Sequence, residues 1–192
     1  MGRSLKLLLG PLISPRAGFR RFLDAHGQVD AAALPLFSLL LLHFGALLLY
    51  AQILRRTGGP PGEAGPPLEA AGALTAAVPF IGSLWLLAAL LFWGLLLWAA
   101  GLMLGCRRAY GEWLGLAALC HLPEVPRVLT GVVLALAGAP GALGGLPVDP
   151  FGLWEAVLVA FGFAAYTGRP LWAGTAVAAA VLTLQLLLGP SS

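Results

Sequence analysis

The chain has 192 residues, 59% hydrophobic and 10% charged, with a formal net charge of +3 and a mean hydropathy of +0.91. A soluble domain carries about 25% charged residues, so this composition excludes one and predicts a single integral membrane domain. The basic residues flank apolar segments, where they set orientation, and we expect no nucleic-acid partner. We also expect no cofactor, and no disulfide or metal site, because Cys106 and Cys120 lack a CxxC spacing.

The N-terminal segment, residues 1–30, is predicted to be cytoplasmic and to lie at the membrane surface. Ser14 followed by Pro15 suits the start of a helix. Its apolar side chains fall on one face at helical spacing: Phe19, Phe22 and Leu23. Its basic side chains can reach lipid phosphates: Arg16, Arg20 and Arg21. We predict an interfacial amphipathic helix, with a solvated basic tail as the alternative.

Five apolar segments follow, and they predict an all-α polytopic bundle of five transmembrane helices in residues 31–192. The segments cover residues 31–54, 74–104, 113–138, 151–167 and 171–188. The run from residue 70 to 106 contains no charged residue and no His, which far exceeds the roughly 20 residues that cross a bilayer. Only Gly168, Arg169 and Pro170 separate the last two segments, so we expect an antiparallel hairpin. The Gly- and Pro-rich stretches 55–73 and 139–149 are predicted connectors on the non-cytoplasmic side.

The third segment is polar for a membrane span, because it contains His121, Glu124 and Arg127. A mid-bilayer Glu or Arg costs about 2.5–3.5 kcal/mol, so this span needs help to insert. Pro123 and Pro126 remove backbone donors and are predicted to break the helix. A four-span alternative rests this segment on the cytoplasmic surface. The distribution of basic residues favours five spans with a cytoplasmic N-terminus and a non-cytoplasmic C-terminus, and it puts Arg107, Arg108 and Arg169 inside.

Depth along the helices predicts an intramembrane polar cluster. At about 1.5 Å per residue, His43 and Glu124 lie near mid-depth of the membrane, and Arg127 and Glu155 lie in its outer half. The predicted cluster comprises His43, Glu124, Arg127 and Glu155. One interpretation is a proton- or ion-responsive site, and the other is a polar staple that fixes helix packing. Asp149 is predicted to cap the start of span four.

Several short motifs resemble the bacterial branch of the Yip family, named for interacting with Ypt-type small GTPases. They are Ile13 to Phe19, Gly105 to Arg108, and Val148 to Trp154 leading to Gly162 and Thr167-Gly168. The resemblance implies five transmembrane helices, a cytoplasmic N-terminus and no catalysis. The sequence has no counterpart of the long cytoplasmic N-terminal region of eukaryotic members, so we do not expect Rab-type GTPase binding. One Lys beside ten Arg, with no Asn, is typical of a GC-rich bacterial genome.

Two functions from different classes follow from the sequence. The first is a non-enzymatic membrane organiser or scaffold, or a protein with a trafficking-like role, whose partners are the lipid bilayer, other membrane proteins and further copies of the chain. The second is a small transporter or ion- or proton-conducting subunit that uses the broken third helix as a mid-membrane site. An enzyme is not expected, because the sequence contains no GxSxG, HExxH or Walker A motif.

Overall fold

A computed structural model describes residues 2–25, 30–57, 68–139 and 149–188 of the chain. Every regular element within these ranges is a helix, as the sequence predicts. The helices are α1 (Gly2–Ile13), α2 (Pro15–Ala25), α3 (Asp30–Thr57), α4 (Leu68–Met103), α5 (Tyr110–Cys120), α6 (Glu124–Leu136), α7 (Pro150–Thr167) and α8 (Leu171–Leu188).

The apolar segments form the helices of a polytopic bundle. Four stretches are long and apolar enough to cross a membrane: Ala33–Ile53, Ala76–Met103, Tyr110–Leu136 and Pro150–Thr167. Within α8, Leu171–Leu184 forms a shorter apolar helix. The bundle therefore has four to five candidate spans. Most of the predicted connectors, residues 58–67 and 140–148, lies outside the described residues, as does the chain end at 189–192.

A glycine ends the longest helix and turns the chain back into the bundle. Gly105 takes the left-handed conformation, with φ of 79°, which a residue with a Cβ adopts only with strain. The Gly105 amide donates to the Leu102 carbonyl at 2.9 Å, and the Cys106 amide donates to the Gly101 carbonyl at 2.9 Å. This pair of bonds satisfies the free carbonyls at the end of α4 and starts the short connection to α5.

Helix α5 lies at the centre of the bundle and packs against α3, α4 and α7. Trp113, Leu116 and Leu119 are fully buried, because this helix is apolar on all sides. The first half of the third segment is therefore interior. This burial disagrees with the four-span alternative, in which the segment rests on a surface.

The predicted hairpin of the last two segments is present as α7 and α8. Gly168 forms the turn in the left-handed conformation, with φ of 66°. A Cβ at Gly174 on α8 would collide with the backbone carbonyl of Ala160 on α7. The absence of a side chain at Gly174 therefore sets the close approach of these two helices.

The N-terminal helices differ from expectation in what covers their apolar face. The predicted amphipathic helix is present as α2, but Phe19 and Phe22 are fully buried within the protein. Helix α2 packs against α1 and α7. A Cβ at Gly162 of α7 would lie 3.0 Å from the Phe19 ring. The apolar face that was expected to meet lipid therefore meets α7, because glycine leaves a space there for an aromatic ring.

Candidate functional site

The third span is interrupted near the middle of its length. Helix α5 ends at Cys120, a turn follows over residues 121–123, and α6 begins at Glu124. Pro123 is the residue before α6, and Pro126 lies in its first turn, where backbone amides have no partner within the helix. The span is therefore divided into two helices at a point where two prolines lack a backbone N–H donor. The polar side chains of this segment flank the break.

A cavity of about 390 Å³ lies beside this break. Its lining includes all four side chains of the predicted polar cluster, contributed by α3, α6 and α7: His43, Glu124, Arg127 and Glu155. We call it the polar cavity. Trp85 and Trp93 of α4 supply aromatic lining on another side. The structure thus brings the four predicted residues together in one lining.

His121 also lines the polar cavity, and the sequence prediction left it out of the cluster. Its Nδ1 lies 2.9 Å from the Ala117 carbonyl oxygen, which assigns the proton to Nδ1 and leaves Nε2 able to accept a hydrogen bond. The signal that could have found it is its position three residues before Glu124. That spacing places two side chains on one face, even across a single irregular turn.

Arg127 forms the ion pairs of the polar cavity. Its Nη1 lies 3.2 Å from Oε2 of Glu124 on the same helix, and its Nη2 lies 3.4 Å from Oδ2 of Asp149 at the start of α7. The Arg127 side chain is 48% exposed, so these pairs sit at the mouth of the cavity. They connect α6 to α7 through one guanidinium group.

Asp149 has two roles at the start of α7. Its Oδ1 accepts a hydrogen bond of 3.0 Å from the Phe151 amide, which is the capping geometry expected from the sequence. Its Oδ2 faces Arg127. The sequence suggested the cap but not the ion pair, because the two partners belong to different helices.

His43 and Glu155 are the less neutralised members of the cavity. His43 is 5% exposed, and its Nδ1 has no hydrogen-bond partner among the described residues. Glu155 forms no ion pair with any side chain in the described ranges. The lining thus contains two carboxyl groups for one guanidinium, and this imbalance leaves room for a proton or a cation. Among the residues that the structure describes, no group of three potential ligands could hold a metal ion.

The opposite end of the bundle carries most of the arginines. This arginine-rich end comprises Arg16, Arg20, Arg21, Arg107, Arg108 and Arg169. Arg16, Arg20, Arg21 and Arg107 are exposed there, as an interfacial role requires. Arg16 and Arg20 of α2 line a second cavity together with Arg169, in the turn between α7 and α8.

Arg108 is engaged within the protein rather than free at the surface. Its Nε donates to the Tyr166 carbonyl at 2.8 Å, and its Nη1 donates to Oε2 of Glu112 at 2.5 Å. Its guanidinium also lies 5.4 Å from the centre of the Tyr166 ring. Arg108 therefore ties the start of α5 to the end of α7, where free carbonyls favour a cation.

Glu112 is the residue of this tie that sequence analysis missed. It is 4% exposed, and it lies in the first turn of α5, four residues after Arg108. That spacing is a recognisable signal for an ion pair. Tyr166 carried no comparable signal, because its backbone carbonyl rather than its side chain accepts from Arg108.

Most of the chain is similar to one family of known proteins. The family model described as the Yip1 domain matches residues 9–191. No curated protein and no solved structure matches the chain. Because the family match spans nearly all of the sequence and the helices form a polytopic bundle, the chain belongs to the Yip1 domain family of multi-pass membrane proteins.

Proposed function

We propose that this protein is a non-enzymatic membrane organiser that acts through contacts with lipids and with other membrane proteins, including further copies of itself. The observation that carries the proposal is the use of charge inside the bundle. Arg127 forms ion pairs with Glu124 and with Asp149. Its charge therefore joins α6 to α7 instead of facing a substrate. This arrangement supports the polar staple as the role of the cluster.

The outer surface supports the same proposal. Several large apolar side chains on the spans point away from the bundle, including Phe37 on α3, Leu84 on α4 and Trp172 on α8. Such surface is what a polytopic protein offers to acyl chains and to neighbouring helices. The protein therefore has a broad surface for association.

The orientation is proposed from the arginines. The arginine-rich end has six arginines. At the other end, on the Asp149 side of the polar cavity, the structure describes one arginine side chain, that of Arg127. Cytoplasmic loops carry the excess of Lys and Arg, so we assign the arginine-rich end and the N-terminus to the cytoplasm. On the five-span interpretation, the C-terminus is then outside.

The organism and partners are proposed from the resemblance and the composition. The motifs quoted above and the use of Arg in place of Lys support membership of the bacterial branch. Small GTPase binding of the Rab type is not part of the proposal. The division into residues 1–30 and 31–192 also stays a prediction; the family match begins at residue 9.

A second function, a proton- or ion-conducting role, is supported by one specific observation. The polar cavity contains His43 without a partner for Nδ1 and Glu155 without an ion pair, within the described residues. Ionisable groups of this kind inside a membrane protein are functional candidates. A conducting role would use these two side chains, whereas the staple uses Arg127 and its partners.

Reconstitution into liposomes separates the two functions. For the organiser, we expect proton flux, followed with a pH-sensitive dye inside the vesicles, to equal that of protein-free liposomes. We also expect vesicle diameter, measured in electron cryo-micrographs, to change with protein density. Glu124→Gln should lower stability alone, and Arg107→Gln, at an exposed position outside the cavity, is the control. Flux above background that Glu155→Gln lowers, with folding intact, would contradict the organiser and support conduction.

A further inference from the structure

The second cavity of the protein has the composition of a site for a phosphate-bearing lipid. It has a volume of about 350 Å³ and lies between α2, α7 and the turn into α8. We call it the arginine cavity. Arg16, Arg20 and Arg169 line it together with apolar residues that include Phe161 and Leu171. We propose that it binds the headgroup of an anionic phospholipid, with the phosphate on the arginines and the upper acyl chain on the apolar wall.

The arginines are placed together in spite of their mutual repulsion. Arg16 and Arg20 are four residues apart on α2, so their side chains share one face, where like charges are unfavourable. Among the side chains that the structure describes, no carboxylate forms an ion pair with either of them or with Arg169. Asp24 stands four residues after Arg20 and still does not pair with it. An anion in the cavity would remove this repulsion.

Packing and hydrogen bonding within the protein hold these arginines in position. Phe19 and Phe22 on the other side of α2 are fully buried, so the helix backbone is fixed against the bundle. Arg169 follows the left-handed Gly168, and its Nη2 donates to the Leu104 carbonyl at 2.7 Å. That bond uses one of the five donors of its guanidinium group, and the others can reach an anion. Arginine forks match the oxygens of a phosphate group.

The apolar wall distinguishes a lipid from free phosphate. Phosphate alone needs only donors, but the arginine cavity has apolar side chains beside its basic ones. The volume lies within the roughly 300–1,000 Å³ of small-molecule sites. Basic pockets between helices near the membrane surface suit anionic headgroups. This inference requires a membrane-embedded bundle, and it does not depend on the organiser proposal or on the absence of ion flux.

Native mass spectrometry of the full chain in a neutral detergent tests the proposal. After delipidation, the protein is titrated with dioctanoyl phosphatidylglycerol, and separately with dioctanoyl phosphatidylcholine, which has the same chains without net charge. We expect one tightly held phosphatidylglycerol per chain and weaker binding of phosphatidylcholine. At about 1 kcal/mol per arginine, each Arg→Gln change weakens binding about fivefold, so R16Q/R20Q should lose about 25-fold. Equal binding of the two lipids, or unchanged binding by R16Q/R20Q, would overturn the proposal.

A matched double variant keeps the net charge equal to that of R16Q/R20Q. R21Q/R107Q removes two arginines that are exposed at the same end but do not line the arginine cavity, and it should retain wild-type affinity. An equal loss in this control would show that general surface charge, rather than a site, holds the lipid. Inorganic phosphate should not displace the lipid at equal concentration. Displacement would assign the site to a free phosphate and overturn the lipid occupant.

A second variant covers the case in which R16Q/R20Q fails to fold. R16K/R20K retains both charges and removes the forked donors, so we expect a phosphatidylglycerol affinity between those of the wild type and of R16Q/R20Q. Unchanged unfolding midpoints would show that the bundle is intact in each variant. Full retention of affinity by a folded R16K/R20K would overturn recognition by guanidinium groups.

Discussion

Truncation of one aromatic side chain should release the second helix from the bundle. Phe19 is fully buried, and its ring shares with Leu116 the space left by Gly162 of α7. Helix α2 packs against α1 and α7, so its position depends on few side chains. We therefore expect Phe19→Ala to weaken the docking of α2 while leaving the packing of α5 between α3, α4 and α7 unchanged.

The expected magnitude follows from the burial of the ring. Replacing a core Phe by Ala costs about 3–5 kcal/mol, because transfer energy is lost and a cavity remains. If this cost falls on local opening of α2, the open population rises by a factor of about 100 to several thousand, since 1.4 kcal/mol is tenfold. The increase stops when α2 is fully released, so the loss of global stability is smaller than the local effect.

Amide hydrogen exchange in detergent micelles measures this opening segment by segment. We expect faster exchange over Pro15–Ala25 in Phe19→Ala and unchanged exchange over Tyr110–Cys120. Phe37→Ala is the matched control, because it deletes the same side chain at a position that is 71% exposed. The reasoning is refuted if α2 exchanges at the wild-type rate in Phe19→Ala, or if Phe37→Ala accelerates it equally.

Three further changes test the packing and the ion pairs. Gly174→Ala puts a Cβ into a backbone carbonyl of α7 and should lower the free energy of unfolding, measured by thermal unfolding, by about 1–3 kcal/mol. Gly131→Ala is the control, because Gly131 faces open space, and it should be neutral or stabilising. Equal effects of the two changes would refute the close approach of α7 and α8. Glu112→Gln removes the partner of Arg108, and a double-mutant cycle with Arg108→Gln should give a coupling of about 1–2 kcal/mol; a coupling near zero would contradict the tie. Arg127→Gln breaks two ion pairs, so its unfolding midpoint should fall below that of a variant that lacks only the Glu124 carboxylate or only the Asp149 carboxylate. A midpoint equal to that of the wild type would exclude the staple.

The spans were predictable because each depends on a property of a continuous stretch of chain. The predicted segment 151–167 is found as Pro150–Thr167, and 171–188 is found as Leu171–Leu188. From the helical rise per residue we placed His43 and Glu124 near mid-depth and Arg127 and Glu155 in the outer half, and all four side chains line the polar cavity. Hydrophobicity and helix geometry carry this information without knowledge of which helices are neighbours.

Several contacts between helices that are distant in sequence were not predictable. The amphipathic pattern of α2 requires an apolar partner for Phe19 and Phe22, but it is the same whether that partner is lipid or α7. Likewise, a basic pair after a span indicates orientation, although Arg108 in fact bonds to the Tyr166 carbonyl. Which partner such a side chain contacts depends on where a glycine or a free carbonyl of another helix lies.

The ion pair between Arg127 and Asp149 has a consequence for biosynthesis. Arg127 precedes Asp149 in the chain, so this ion pair cannot form until the residues that start α7 have followed the third segment out of the ribosome. Glu124 lies three residues before Arg127 and is the acidic partner that emerges first. The central segment therefore reaches its final neutralised state only after the start of α7 has emerged.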